Sequence, residues 1–329
     1  MSVVTGISVV IPNYNGRHLL AEILPAVIDA LQATSLPYEV IVSDDRSTDD
    51  SVSFLRDNYT GTSVLTSEKN EGFALTMNKG IHATRYSHLL LLNSDVKLTK
   101  DYFKGLLRYF ERADTFGVMS RIIGWDDDII QDGGKYPYSH GVKIKTSGNY
   151  IPVKTEKDPW LYTMYLSGAS AMVSREKILE LQGFDKIFSP FYVEDYELSL
   201  RAWRLGWKCY YDHDTICRHK VSVSIRSANK KKQIAVVYNR NKMYLHAIHL
   251  SGGRRFLWFL QLFPESLLRL VTLQWSWFLS LYHFLGNYDR VIKSRKRFYE
   301  IAKGRKLLSV TEVIREVDSM LGREEIRVI

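Results

Sequence analysis

Cysteine is scarce in this chain of 329 residues, with only Cys209 and Cys217 present. Two thiols are too few for a disulfide framework, so the sequence points to a reducing compartment. Long apolar runs are missing as well. The most aromatic and aliphatic stretch, 254–285, is interrupted by Pro264, Glu265 and Arg269 and never reaches the ~20 residues that a helix needs to span a bilayer. The opening MSVVTGISVVIPNYN has no charged segment, long apolar core or small-residue cleavage site, so no signal peptide is expected there.

What is present is a chain long enough for one large domain or two modest ones, with ordinary apolar and charged fractions. Its net charge of +9 is unevenly spread. Residues 218–329 hold 22 Lys/Arg against 8 Asp/Glu, which leaves the first 217 residues net acidic. A basic end of this kind meets solvent or a polyanion, either nucleic acid or an anionic membrane face.

Along the first hundred residues, short apolar runs alternate with helical spacing. The runs ISVVIP, YEVIVS, Thr62 to Thr66 and HLLLLN read as strands, and the stretches 18–31, 51–59 and 72–83 read as helices. This β-α alternation predicts an α/β fold with a mostly parallel sheet covered by helices. Ligands in such sheets bind beyond the carboxyl ends of the strands. The polar loops PNYN, DDRSTDD and NSD all follow strand ends and should converge on one crevice. Further on, in SPFYVEDYELSLRAWRL, Leu198, Ala202 and Leu205 mark one buried helical face behind the acidic pair Glu194-Asp195. A carboxylate at that place is either a helix cap or a base held at the lip of a pocket.

Taken together, IPNYN, DDRSTD, NEGFALTMNKG, LLLLNSDV and the block from SGASAMVS to RLGWK resemble, in order and spacing, the family 2 glycosyltransferases with the Rossmann-like GT-A fold. The resemblance covers about residues 7–220 and is nearest to bacterial transferases of surface polysaccharides, rhamnosyltransferases among them. It implies a donor pocket for a UDP- or dTDP-linked sugar built from Pro12, Tyr14, Asp45, Gly72, Ser94 and Asp95. Asp45 would accept the N3–H of the base, and Tyr14 would stack on the ring or pack on its own loop. The family's Asp-any-Asp metal motif is Asn93-Ser94-Asp95 here. Asp95 would bind Mg²⁺ or Mn²⁺ together with His219, with His213 as a competitor, and one carboxylate plus donor phosphates is chemically sufficient. Asp195 would be the general base of an inverting transfer, and Glu194 would orient its loop or contact the acceptor. Either Arg201 or Arg204 could face the phosphates. The acidic run 126–128 reads as a solvated loop, and Asp185 as a structural turn residue.

The implied organisation is a catalytic domain over 1–225, with a nucleotide-sugar half at 1–98 and an acceptor half at 99–225. A C-terminal helical extension follows over 226–329. There, interleaved Trp and flanking Lys/Arg fit helices lying in the plane of an anionic membrane rather than a nucleic-acid groove. The alternative is a hairpin packed on the catalytic domain or on a second copy in a homo-oligomer. The Gln-x-x-Arg-Trp motif of processive synthases does not occur. The expected activity is single addition to a hydroxyl of a glycan or lipid-linked acceptor, at the cytoplasmic face of the membrane. A sugar nucleotidyltransferase would need a Gly-rich, basic first loop where PNYNG stands. A non-catalytic scaffold is disfavoured by the presence of Asp45, Asp95 and Asp195.

Overall fold

A computed structural model of the protein describes residues 5–153, 160–220, 228–321 and 326–329. Strand β1 (Ile7–Asn13), helix α1 (Arg17–Gln32), β2 (Tyr38–Asp44), α2 (Ser51–Asn58), β3 (Thr62–Thr66), α3 (Phe73–Ala83) and β4 (His88–Leu92) form the opening alternation. Each boundary falls within a residue of the expected one. The chain continues through β5 (Val96–Leu98), α4 (Tyr102–Leu107), β6 (Thr115–Gly124), β7 (Ile130–Asp132), β8 (Gly134–His140) and β9 (Lys143–Pro152). Next come β10 (Ser170–Ser174), α5 (Arg175–Glu180), α6 (Glu194–Arg204) and β11 (Lys208–His219). Five helices, α7 (Ala228–His249), α8 (Gly252–Val271), α9 (Trp275–Gly286), α10 (Tyr288–Ile301) and α11 (Val310–Leu321), lead to β12 (Ile326–Val328).

The main sheet runs β3-β2-β1-β4-β10-β6-β11-β5, with β7 on β6. Strands β1 to β4 are mutually parallel, and β10 inserts antiparallel between β4 and β6. The chain moves outward from β1 to β2 and β3, then returns to place β4 on the other side of β1. That reversal opens the crevice where strand-end loops diverge. Helices on both faces explain why β1, β2 and β4 are continuous β-branched and leucine runs rather than alternating ones: both sides of each strand are covered. Helix α3 lies so close to β1 that a Cβ on Gly80 would stand 2.3 Å from a Val10 methyl.

The tyrosine-rich stretch after β7 carries no clear sequence period. It forms the hairpin β8-β9, which β12 extends to a second, three-stranded sheet. The pairing partner of β9 lies at the C-terminus, so no local period reports it. The acidic residues Asp126, Asp127 and Asp128 are exposed, as a solvated loop requires.

Helix α6 is buried on all sides except at Asp195. Glu197, Arg201 and Arg204 are therefore partnered inside the protein. Arg201 bonds Glu197 at 2.9 Å and the carbonyls of Leu181 and Gly183. Arg204 donates to the Leu308 carbonyl at 3.0 Å and lies over Phe298 and Tyr299. Neither arginine faces a phosphate site, because burying a guanidinium requires that its donors be used locally.

Candidate active site

Pro12, Tyr14, Asp45, Gly72, Ser94 and Asp95 line a single open crevice of about 430 Å³ at the ends of β1, β2 and β4. The loops after those strands supply its floor, and Pro190 and Phe191 close one wall. The neighbouring acids Asp44 and Asp45 divide their work. Asp44 accepts from Asn13 Nδ2 at 2.8 Å, from Ser47 N–H at 2.9 Å and from Ser47 Oγ at 2.6 Å, and so shapes the loop. Asp45 accepts from the N–H groups of Glu71 at 2.7 Å and Gly72 at 2.8 Å, which holds its carboxylate rigid while each oxygen keeps a free lone pair. Gly72 has φ of +83°, a left-handed conformation that favours glycine, and it packs against Pro190. Tyr14 is 54% exposed on the rim, with its ring free of the loop core.

Asp95 meets His219 through the sheet. β11 pairs antiparallel with β5, and the register sets His219 opposite Val96. His219 Nε2 lies 3.5 Å from Asp95 Oδ2. Gln131 orients the ring. Its Nε2 donates to the His219 carbonyl at 3.3 Å, so its Oε1 accepts from His219 Nδ1 at 2.6 Å. In the neutral ring the Nε2 lone pair then faces Asp95. Asp95 Oδ1 and Asn93 Oδ1 are buried without a hydrogen-bond partner. An orphaned carboxylate oxygen beside an imidazole lone pair fits a hard divalent cation. Among the described residues no cluster of three or more His, Cys, Asp or Glu could hold a metal, so such an ion would share its shell with donor phosphates and water.

Asp195 stands two peptide units from that loop. The Asn93 N–H donates to the Ala169 carbonyl at 2.9 Å, and the Gly168 N–H donates to Asp195 Oδ2 at 3.2 Å. Asp195 Oδ1 accepts from Tyr196 N–H at 2.7 Å. Burial raises the Asp195 pKa above the usual carboxylate range, with the two N–H donors and the charge of Lys242 opposing. Glu194 is pushed up to about 8 by burial and by the charge of Asp195, and its Oε2 has no partner. Of the pair, Asp195 has both oxygens held by backbone N–H donors, whereas Glu194 Oε2 is left without a partner.

A Glycosyl transferase family 2 model matches residues 8–181, more than half of the chain. The protein is a family 2 glycosyltransferase. Chondroitin synthase of Escherichia coli is 25% identical over 236 residues, covering 64% of this transferase and 33% of the relative. The chain thus spans about a third of that curated relative's length. The crystal structure of GalNAc-T7 with UDP, GalNAc and Mn²⁺ has a TM-score of 0.59 at 18% identity, over 76% of this chain and 49% of that one. The mannosyltransferase PcManGT from Pyrobaculum calidifontis, in complex with GDP-Man and Mn²⁺, has a TM-score of 0.52 at 15% identity, over 98% and 85%. The transferase has the GT-A fold.

The helix-cap expectation for the acidic pair is corrected in detail. The cap position of α6 is Val193, which makes no side-chain capping bond, and Asp195 lies inside the first turn. Tyr192 and Val193 both have left-handed backbone, with φ of 72° and 75°. For a β-branched residue that conformation is strained by about 1–3 kcal/mol and persists only where its surroundings over-determine it. Buried Asn241 of α7 supplies the constraint, its amide donating to the carbonyls of Phe188, Phe191 and Tyr192 at 2.7, 3.1 and 2.8 Å. Arg240 adds a bond to the Ser189 carbonyl at 2.7 Å.

His213, the competitor for the metal, is turned away in the transferase. Its Nδ1 meets Tyr211 at 2.8 Å and its Nε2 meets Arg121 at 2.9 Å. Asp185 is structural, capping Ile187 N–H at 3.1 Å and pairing with Arg297 at 2.6 Å. Sequence reasoning missed Asn241 and Lys242. Their one signal is position: an asparagine among apolar residues of a helix demands a buried partner.

Proposed function

We propose that the transferase moves one sugar from a UDP- or dTDP-linked donor to a hydroxyl of a glycan or lipid-linked acceptor, with inversion, in the synthesis of cell-surface polysaccharide. The observation that carries this reading is the link from the nucleotide crevice through Ala169 and Gly168 to the braced carboxylate of Asp195. Asp195 takes the proton of the acceptor hydroxyl as its oxygen forms the new bond to the anomeric carbon. The bond to the diphosphate breaks, and its electron pair leaves with the nucleoside diphosphate. Asp45 and Tyr14 hold the base, and Gly72 lets the donor approach the backbone.

Asp95 and His219 would hold a Mg²⁺ or Mn²⁺ ion, which when bound neutralises the charge of the departing diphosphate. No acid is then needed for the leaving group, and one carboxylate suffices on the acceptor side. The proposed division is a catalytic region over 1–225 and a helical region over 226–329.

The transferase would sit on an anionic membrane surface. Of twenty-four exposed large hydrophobic side chains among the described residues, thirteen lie between 256 and 285 on α8, α9 and their turn. Phe263 is 70% exposed, Val271 82% and Trp275 64%. No described helix is long and apolar enough to cross a membrane. Such a ridge beside basic helices fits insertion into the headgroup layer.

The deciding experiment is a thermal-shift screen of UDP-, dTDP- and GDP-sugars with and without Mn²⁺. A Mn²⁺-dependent rise with a uridine or thymidine nucleotide, absent in Asp45→Ala, is expected. No rise with any nucleotide would sink the reading.

A further inference from the structure

A second cleft, of about 420 Å³, lies between the β8-β9 hairpin and helices α7, α8 and α9. Its walls differ in character. One, on β9 and α7, carries Lys145, which is exposed, and Lys242, which is half-buried; the other, on α8 and α9, is built on Trp258, Leu268 and Trp277, with Glu265 and Arg269 beside them. A third lysine, Lys143, is already neutralised by Glu265. Lys242 is not. Its ammonium lies 4.5 Å from the centre of the Tyr196 ring and 5.5 Å from that of Tyr238, and it has neither an ion pair nor a side-chain hydrogen bond among the described residues. Burial draws its pKa down to about 8, Asp195 favours its charge, and Lys145 opposes it. Among the described residues Lys145 has no ion pair either, so Lys242 lacks there the close anion that would offset its desolvation.

The cleft also adjoins the reaction centre. Tyr196, on which Lys242 rests, follows Asp195 directly, and Lys242 and Asp195 are close enough to bias each other's charge. At its outer end Leu268 belongs both to the cleft wall and to the exposed ridge of α8. A site that is cationic near the base and apolar toward the ridge matches an amphiphile, with a compact anion inside and a hydrocarbon chain outside.

We infer that this cleft is the acceptor subsite and that Lys145 and Lys242 bind a phosphate or diphosphate esterified to a long hydrocarbon chain. The lysines fix the phosphoryl group, the chain runs over Leu268 onto α8, and the acceptor's sugar hydroxyl is directed to Asp195. The inference rests on the transferase mechanism proposed above and names its acceptor class.

The test measures binding of farnesyl diphosphate, inorganic pyrophosphate and farnesol to the full chain by calorimetry. EDTA is present so that no divalent ion draws diphosphates to Asp95 and His219. Farnesyl diphosphate should bind at least tenfold tighter than either fragment, and Lys145→Glu combined with Lys242→Met should weaken it at least tenfold. Lys145→Glu alone changes only an exposed side chain and should still weaken binding severalfold, while Lys242→Arg should restore it.

Equal binding to wild type and the double variant would overturn the inference. So would farnesol binding as tightly as farnesyl diphosphate, which would mean apolar adsorption. Pyrophosphate binding as tightly would mean an anion site with no lipid component, and would overturn it too. UDP with Mn²⁺ is titrated against the same proteins in parallel. Failure of nucleotide to bind wild type while farnesyl diphosphate does would count against the donor reading alone.

Discussion

The sheet end of the molecule and the α8-α9 hairpin are built from the same apolar residue types arranged in opposite ways. In β1, β2 and β4 the valines, isoleucines and leucines are all buried, and polar atoms gather only at the strand ends. In the hairpin, buried Trp258, Trp277 and Phe284 anchor one face while a leucine- and phenylalanine-rich ridge stays outside. A folded chain gains about 25 cal/mol for each Å² of apolar surface removed from water, so a ridge left exposed at this size marks a face meant for something other than water. On the reading proposed above, the sheet end holds a polar ligand rigidly and the hairpin meets an apolar phase. Chemistry and location should therefore be separable by mutation.

The largest expected effect is at the sheet end. Asp195→Asn should lower kcat about 10³-fold, the usual worth of a positioned general base, while nucleotide-induced thermal stabilisation and vesicle retention stay at wild-type levels. Near-normal turnover of that variant would remove Asp195 from the mechanism. Next, Asp95→Ala or His219→Ala should raise the Mn²⁺ concentration needed for UDP binding by about 10–100-fold, and Gln131→Leu should raise it less, since it only orients the ring. Nucleotide titrations at stepped Mn²⁺ concentrations read this directly.

The clamp between the two regions comes third. Asn241→Leu strands buried carbonyls of the 188–192 loop, each at about 1–3 kcal/mol, and should lower Tm by several degrees and kcat more than KM. A smaller thermal effect, with transfer lost on membranes only, is expected for Phe263→Glu with Val271→Glu. These are exposed positions, so stability should stay within about 0.5 kcal/mol while retention by anionic vesicles disappears. Retention of wild type should also fall as salt rises. If the ridge variant lost turnover on a soluble acceptor equally, the separation of chemistry from location would be wrong.

The last test concerns pH. Glu194 has a folded pKa of about 8 against an ordinary value of 4.5, so the folded state binds more protons than the unfolded state between those values and loses stability as pH rises through that window. Glu194→Gln removes this loss, and its Tm relative to wild type should climb from pH 5 to pH 8.

Much of the sheet end was legible in the amino-acid order, because a strand buried on both faces writes a contiguous apolar run and its loop begins where the run stops. The loops PNYN, DDRSTDD and NSD follow from strand ends once the sheet is parallel, and the family resemblance selected the six crevice residues. His219 needed the β11-β5 register, which no local pattern carries, and spacing could not separate it from His213. The left-handed pair Tyr192-Val193 was invisible, since neither residue type signals that conformation and its cause lies fifty residues on, at Asn241. Arg201 and Arg204 misled for a related reason. A helix buried on every side shows the same apolar stripe as one buried on a single face, and only the tertiary partners reveal the difference: the carbonyls after α5 for Arg201, and α10 with the Leu308 carbonyl for Arg204.

The 188–193 loop gives the C-terminal helices a role in inheritance as well as in location. The wall of the crevice at Pro190 and Phe191 and the first turn of α6 at Glu194 and Asp195 are one continuous stretch of chain, fastened from α7 by the amide of Asn241 and the guanidinium of Arg240. A chimera that keeps the GT-A portion but exchanges the helical end for one lacking an equivalent of Asn241 would unfasten the donor wall and the base together. The helical end can diverge freely along its outer ridge, where it selects surroundings, but α7 must travel with the sheet.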